Sequence, residues 1–230
     1  MKILAFETSA KAGSVALMEN GKLLAESYQN TGLTHSQTLL SMAEDMLKSC
    51  GITPCDVDAV AVAAGPGSFT GVRIGVAAAK GFAWGGEKPC YGVSTLEAMA
   101  QNAGQTGYVL PAMDARRSQV YTALFRGTER VWEDQAISLQ ELSEKLKALE
   151  GTVYVVGDGA ELCLRTLGEE LPNLAQAPEH LRHQRAAGVA LAAMAAIRRG
   201  ESGDAAALKP NYLRLSQAER ERMEKEKREV

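Results

Sequence analysis

An internal repeat constrains the fold of this 230-residue chain more than any other feature of its sequence. Residues 6–17 and 113–124 share one pattern, in which a strand ends at an acidic residue, a tight loop follows and a second strand begins. The first half reads β-β-β-α-β-α-β-α, with Asn20-Gly21 closing its second hairpin. The second half restarts with three strand-like runs and follows the same order. The chain is therefore expected to contain two similar units.

Two such units predict an α/β fold in which ribonuclease-H-like halves face a cleft, the actin-like or sugar-kinase-like architecture. We assign residues 1–103 to the first half, with partner-binding helices, and residues 104–215 to a second, smaller half. Residues 216–230 form a charged C-terminal tail, which is expected to be a solvated or frayed helix. Two capping boxes, Thr34 with Gln37 and Ser138 with Glu141, mark the starts of two helices.

The charge balance excludes a free-standing nucleic-acid-binding protein. The chain has 25 Lys and Arg against 28 Asp and Glu, a net charge of −3, whereas affinity for phosphates requires clustered cations. Any nucleic acid is expected to be contacted through a more basic partner. The four cysteines form no CxxC pair and no signal peptide is recognisable, so we expect reduced thiols in the cytoplasm. The longest apolar stretch, 186–197, has 12 residues, and a membrane span needs about 20.

The repeated strand–loop–strand units supply the candidate cofactor site. In an actin-like fold the acid that closes the first strand can hold Mg²⁺ while backbone N–H groups of the next hairpin bind a phosphate. The candidates are Glu7, Thr8, Ser9 and Gly13 in the first half and Asp114 in the second. Arg116-Arg117 pairs either with phosphate or with nearby carboxylates, and the sequence leaves both open.

Two glycine-rich turns and three histidines are weaker candidates. Gly65 to Gly71 lies between a strand and a helix, but it fits neither dinucleotide nor P-loop spacing, which favours a packing loop. Gly157-Asp158-Gly159 resembles a turn that contacts adenosine, although any strand–turn–helix connection needs glycine. His35, His180 and His183 lack metal-ligand spacing, so no metal site is predicted.

A helix predicted over residues 72–84 is too apolar for an ordinary surface helix. Viewed down the helix axis, Arg73, Lys80 and Trp84 fall within an arc of roughly 40°. Every other position carries an apolar side chain or is glycine. The helix over 35–50 has an apolar arc of about 160°. Either the chain's own sheet and helices enclose this surface, or the helices of a partner protein cover it. The second interpretation places contact residues at Leu40, Leu47, Val72, Val76 and Phe82.

Six stretches of the sequence match one bacterial protein family. They are Phe6-Glu7-Thr8-Ser9, His35-Ser36, Gly65-Pro66-Gly67-Ser68-Phe69-Thr70-Gly71-Val72-Arg73-Ile74-Gly75, Gly92-Val93-Ser94-Thr95-Leu96-Glu97-Ala98, Met113-Asp114-Ala115-Arg116 and Tyr212-Leu213-Arg214. In these stretches, the chain resembles the TsaB (YeaZ) proteins.

The resemblance implies a companion of TsaD, an actin-fold enzyme that moves a threonylcarbamoyl group from its adenylate onto N6 of adenosine 37 in tRNA. A small ATPase, TsaE, is the third member of that system. The resemblance further implies contacts of the first-half helices with TsaD or with a second copy of this chain. It implies tRNA contact only through the complex, no cofactor of the chain's own, and ATP or ADP only at the level of the complex.

The resemblance also separates this chain from TsaD itself. TsaD-like chains carry a His-Met-Glu-Gly-His metal motif where this sequence has Thr95-Leu96-Glu97-Ala98-Met99. A hydroxyl and a thioether do not replace two imidazoles around a metal that polarises a carbonyl. We therefore expect a non-catalytic subunit. Two alternatives stay open: a small ATP-binding enzyme that uses Glu7 and Asp114, and an autonomous glycoprotease, which would contain zinc or iron.

Overall fold

The computed structural model describes residues 1–103 and 107–214. The predicted tail, 216–230, therefore lies outside the described residues. Within the described ranges no helix is long and apolar enough to cross a membrane.

The first half contains a five-stranded sheet with the strand order β3-β2-β1-β4-β5. β1 pairs antiparallel with β2 and parallel with β4, and β4 pairs parallel with β5. The elements of this half are β1 (Lys2–Glu7), β2 (Gly13–Glu19), β3 (Lys22–Gln29), α1 (His35–Ser49), β4 (Ala59–Gly65), α2 (Phe69–Gly85), β5 (Cys90–Ser94) and α3 (Thr95–Ala103).

The second half repeats this topology. Its sheet has the order β8-β7-β6-β9-β10, which is the first sheet's order with each strand replaced by its counterpart. The elements are β6 (Tyr108–Asp114), β7 (Gln119–Arg126), β8 (Glu129–Ser138), α4 (Leu139–Leu146), β9 (Val153–Val156), α5 (Ala160–Leu167), β10 (Leu174–Gln176), α6 (Glu179–Arg182) and α7 (Ala186–Arg198). The predicted fold of two ribonuclease-H-like halves is confirmed. β10 was not predicted, because three residues are too few to show a period of two.

The core is organised by the alternation of side chains along β1. Leu4 and Phe6 point to the face covered by α1 and α2, whereas Ile3 and Ala5 point to the face covered by α7. α7 follows the second half in sequence but packs on the first sheet and on α3, which explains why almost all of its side chains are apolar. The division of the chain at 103/104 stays a prediction, and the chain returns to the first half after α6.

Of the two predicted capping boxes, the one at Ser138 forms and the one at Thr34 does not. Ser138 Oγ accepts a hydrogen bond from the Glu141 N–H at 3.1 Å, and the Glu141 carboxylate accepts one from the Ser138 N–H at 2.9 Å. The predicted box at Thr34 was wrong. The Thr34 side chain makes no capping bond, and its carbonyl accepts the Gln37 N–H instead.

Candidate functional site

A cleft of about 630 Å³ lies between the two halves. The loop after β1, the β4–α2 loop, the β6–β7 hairpin, the β9–α5 turn and residues 211–214 line it. Ser9 from the first half and Asp114 from the second both lie on its wall. The repeat therefore brings two of the predicted candidates to one cleft.

Glu7, which ends β1, is fully buried beside this cleft. Its Oε1 accepts a hydrogen bond from the Ser9 N–H at 2.6 Å, while Oε2 has no hydrogen-bond partner among the described residues. Burial raises the pKa of the Glu7 carboxyl to about 7, because a charge is costly away from water. Hydrogen bonds from Ser9 oppose this rise and the Asp158 carboxylate adds to it. Glu7 is thus held by its neighbours and exchanges a proton near neutral pH.

The glycine-rich loop packs against the residues that follow Glu7. Thr8 Oγ1 donates to the Gly71 carbonyl at 2.8 Å, and the Ser9 carbonyl accepts the Ser68 N–H at 2.6 Å. A Cβ at Gly67 or Gly71 would collide with the backbone of Ser9 or Thr8. These glycines permit close backbone contact, which supports the interpretation of this segment as a packing loop.

The His35 side chain packs against the loop between β1 and β2. Its Nε2 lies 2.8 Å from the carbonyl oxygen of Ala10, and a Cβ at Gly13 would lie 2.8 Å from its Nδ1. The sequence predicts an exposed His35 at the first turn of α1, whereas its side chain is partly buried by this contact. Gly13 therefore makes room for an imidazole of the same chain, at the loop that was predicted to bind phosphate.

Asp114 has different surroundings from Glu7, its counterpart in the repeat. Its side chain is exposed, and Oδ1 accepts a hydrogen bond from the Arg116 N–H at 2.7 Å. This bond stabilises a turn in which Arg116, Arg117 and Ser118 all have positive φ angles, of 63°, 56° and 55°. Asp114 thus supports the β6–β7 hairpin, and its assignment to a cofactor site stays a prediction.

The second glycine turn also serves packing. A Cβ at Gly157 or Gly159 would collide with the backbone of Ala112 in β6. Between them Asp158 opens into the cleft and accepts a hydrogen bond from Gln184 Nε2 at 2.9 Å. Desolvation by the surrounding residues raises the pKa of the Asp158 carboxyl.

The two positions that the resemblance aligns with the metal ligands of TsaD-like chains lie in the interior. Thr95 is fully buried, and Met99 packs in an apolar cluster with Val109, Met113 and Val156. In the described part of the chain no group of three or more His, Cys, Asp or Glu side chains is placed to hold a metal ion.

The predicted contact residues on the first-half helices have unequal exposure. Leu40 on α1 is 59% exposed and Phe82 on α2 is partly buried. Leu47, Val72 and Val76 are only 5%, 1% and 5% exposed, and they belong to the core of this chain. The burial of these three side chains requires no partner. Their assignment as contact residues stays a prediction.

The two cations of the polar arc of α2 form hydrogen bonds with a distant segment of the same chain. Lys80 Nζ donates to the carbonyl oxygens of Ala206 and Leu208 at 3.3 and 3.2 Å, and Arg73 Nε donates to the Tyr212 hydroxyl at 2.8 Å. The sequence does not predict these contacts, because nothing in the pattern of α2 shows which distant segment meets its two cations.

An exposed strip remains on α2, formed by Ala77, Gly81 and Trp84, and we call it the α2 strip. Trp84 is 71% exposed, and a Cβ at Gly81 would meet no atom within 4 Å. Glycine inside a helix costs about 1 kcal/mol relative to alanine. No contact within the described chain explains this glycine.

Known proteins identify the family. A protein of Bacillus subtilis (strain 168), named tRNA threonylcarbamoyladenosine biosynthesis protein TsaB, is 34% identical over 235 residues, which cover 99% of this chain and 100% of that protein. This chain belongs to the TsaB family. The TsaB of Escherichia coli (strain K12) is 41% identical over 69% of this chain and 72% of its own length. The family model described as TsaD, tRNA N6-adenosine threonylcarbamoyltransferase, matches residues 28–222.

Solved structures agree with this assignment. A crystal structure of a Pseudomonas aeruginosa protein with similarity to peptidase YEAZ has a TM-score of 0.78 at 30% identity, covering 93% of this chain and 99% of that one. The activator of 2-hydroxyisocaproyl-CoA dehydratase from Clostridium difficile, with bound ADPNP, has a TM-score of 0.55 at 11% identity, covering 87% of this chain and 97% of the activator chain. Because the activator is only 11% identical to this chain, the similarity between them shows a shared fold alone.

Proposed function

We propose that this chain is a non-catalytic organising subunit required for the formation of N6-threonylcarbamoyladenosine at position 37 of tRNA. In this proposal it supports a TsaD-type protein, which transfers the threonylcarbamoyl group from threonylcarbamoyl-AMP to adenosine 37, and a TsaE-type ATPase acts on the complex. The name of its relatives, tRNA threonylcarbamoyladenosine biosynthesis protein TsaB, supports the pathway. The chain acts in the cytoplasm and contacts tRNA only through the complex.

The burial of Thr95 and Met99 carries the non-catalytic part of this proposal. The resemblance aligns these residues with the two histidines of TsaD-like chains, and both are at most 2% exposed. A buried methionine in an apolar cluster contributes packing energy and offers a hard or borderline cation no charge. The catalytic metal is therefore assigned to the TsaD-type partner.

The α2 strip and Leu40 are the proposed contact surface. Trp84 and Leu40 are large, exposed apolar side chains, and aromatic residues are enriched at the centres of interfaces. Gly81 lets another backbone approach closely, which would offset its cost to the helix. The same surface serves a TsaD-type protein in the complex and a second copy of this chain in isolation.

The experiment is a binding measurement with matched substitutions in the two halves. Leu40→Arg and Trp84→Arg are expected to weaken binding to a TsaD-type protein at least tenfold by calorimetry and to leave the melting temperature of the isolated chain nearly unchanged. Val131→Arg replaces an exposed apolar residue of the second half and should bind like the wild type. Unchanged affinity in both first-half variants would contradict this surface.

A small ATP-binding enzyme is the second candidate, and it is favoured by the buried Glu7 Oε2, which has no hydrogen-bond partner within residues 1–103 and 107–214. The closed first hairpin opposes it, because His35 occupies the space beside Gly13 and the Ser9 N–H already binds Glu7. Titration of the isolated chain with Mg-ATP distinguishes the two functions. The organising subunit is expected to show no turnover and no tight binding alone, with nucleotide retained only when the TsaD-type and TsaE-type proteins are added.

A further inference from the structure

Residues 204–214, which we call the strap, run from the segment after α7 back across the first half to the cleft. Leu208 inserts into the core beneath α2, where it is 9% exposed. The Asn211 N–H donates to the Ala64 carbonyl at the end of β4 at 2.6 Å. The strap is therefore attached to the first sheet by both apolar and backbone contacts.

Two glycines of the first sheet leave room for the strap. A Cβ at Gly92 would collide with the Leu208 side chain, and a Cβ at Gly65 would collide with the Asn211 carbonyl oxygen. Both lie in the stretches that resemble the TsaB family. The absence of a side chain at Gly65 and Gly92 therefore lets the strap lie directly against the first sheet.

α2 holds the strap at a second set of points. Lys80 binds two strap carbonyl groups, and Arg73 binds the Tyr212 hydroxyl. The Tyr212 ring stacks on Phe69 with the ring centres 4.6 Å apart, and the Arg73 guanidinium lies 3.8 Å from the centre of the Phe69 ring. These contacts link the strap to the helix that carries the α2 strip.

The strap then reaches the other half. Arg214 donates from Nη1 to the Ala115 carbonyl oxygen at 2.7 Å, in the hairpin between β6 and β7. Arg214 lies two positions after Tyr212, a span of at most about 7 Å of extended chain. Tyr212, which contacts α2, and Arg214, which contacts the second half, are thus close together in the chain. Both residues line the cleft.

We propose that the strap couples α2 to the cleft, so that a change at Arg73 on α2 is transmitted through Tyr212 and Arg214 to the β6–β7 hairpin. The strap limits how far the two halves separate, and release of either attachment loosens the other. A partner that moves α2 would then alter the cleft without touching it. Only this last consequence depends on the proposed function.

Amide hydrogen exchange of the isolated full chain tests the coupling. Arg73→Met removes the bond to Tyr212 and keeps an unbranched side chain. Exchange is expected to become at least fivefold faster both at Asn211 and at the hairpin amides of Ala115 and Gln119, which are hydrogen-bonded in the wild type. Arg214→Met is expected to produce the same hairpin effect, and the double substitution should add little to either single one.

The matched control is Arg126→Met, which removes a cation that lies over the Tyr108 ring in the second half. It is expected to leave exchange at Asn211 unchanged. The coupling would be overturned if Arg73→Met accelerated exchange at Asn211 and left the hairpin unchanged. It would also be overturned if exchange accelerated equally in the buried strand β1, since that indicates general loss of stability. Neither result would bear on the partner-binding measurement, because no partner is present.

Discussion

The helix pair α1 and α2 and its counterpart in the second half, α4 and α5, have the same place in the topology but different surfaces. α1 and α2 have 15 and 17 residues, and α4 and α5 have 8 each. The longer pair leaves Leu40 and Trp84 exposed, whereas the large apolar side chains of α4 and α5 are all buried or half-buried. The two helix pairs thus share one topology, and of the two only the first presents large exposed apolar side chains.

The largest effect is expected where α2 belongs to the core. Val76→Arg places an unpaired charge at a site only 5% exposed, which should cost about 4 kcal/mol or more and unfold much of the protein. Urea denaturation measures this cost. If the free energy of unfolding of this variant matched that of Leu40→Arg, the distinction between the buried and exposed faces of the helix pair would be wrong.

The second-largest effect is expected on the pH dependence of stability, where Glu7 is compared with Asp114. These residues end the equivalent strands β1 and β6. The pKa of Glu7 rises from 4.5 in the unfolded chain to about 7 in the folded protein. Between these values the unfolded chain has released a proton that the folded protein retains, so the stability of the wild type should fall as the pH rises. The free energy of unfolding should fall by about 3 kcal/mol in total, and this decrease is complete above pH 7.

Glu7→Gln removes the titrating group and keeps its shape. The variant is expected to match the wild type near pH 4 and to be more stable by up to about 3 kcal/mol near pH 8. Denaturation curves recorded at several pH values measure this difference. Asp114→Asn is the control, since it removes a carboxylate at the equivalent but exposed position and so separates the burial of Glu7 from the loss of a charge alone. Parallel curves for Glu7→Gln and the wild type would count against the buried environment of Glu7.

The smallest effect compares the two helix starts. Ser138→Ala removes a formed capping box at α4 and should cost about 1 kcal/mol. Thr34→Ala at α1 removes a side chain that makes no capping bond, so the free energy of unfolding should change by less than about 0.5 kcal/mol. Thermal or urea unfolding of both variants measures the difference, and equal losses would show that the two starts are equivalent.

Local patterns predicted most of the elements but not their long-range contacts. The repeat predicted the shared topology, and Asn20-Gly21 predicted a hairpin whose two residues have φ angles of 50° and 86°. The contact between His35 and Ala10 was missed, because the two lie 25 positions apart. The attachment of Arg73 to Tyr212 spans 139 positions, and no local periodicity carries information over that distance.

By itself, the sequence determined the two-halved α/β fold, the family and the excess of apolar residues on α2. Each follows from short-range patterns of size, polarity and turn chemistry. Only the tertiary structure decided which apolar side chains lie inside, that α7 returns to the first sheet, and that the strap forms hydrogen bonds with the two cations of α2. Burial depends on which distant segments meet, and the energy of those contacts is realised only when the whole chain has folded.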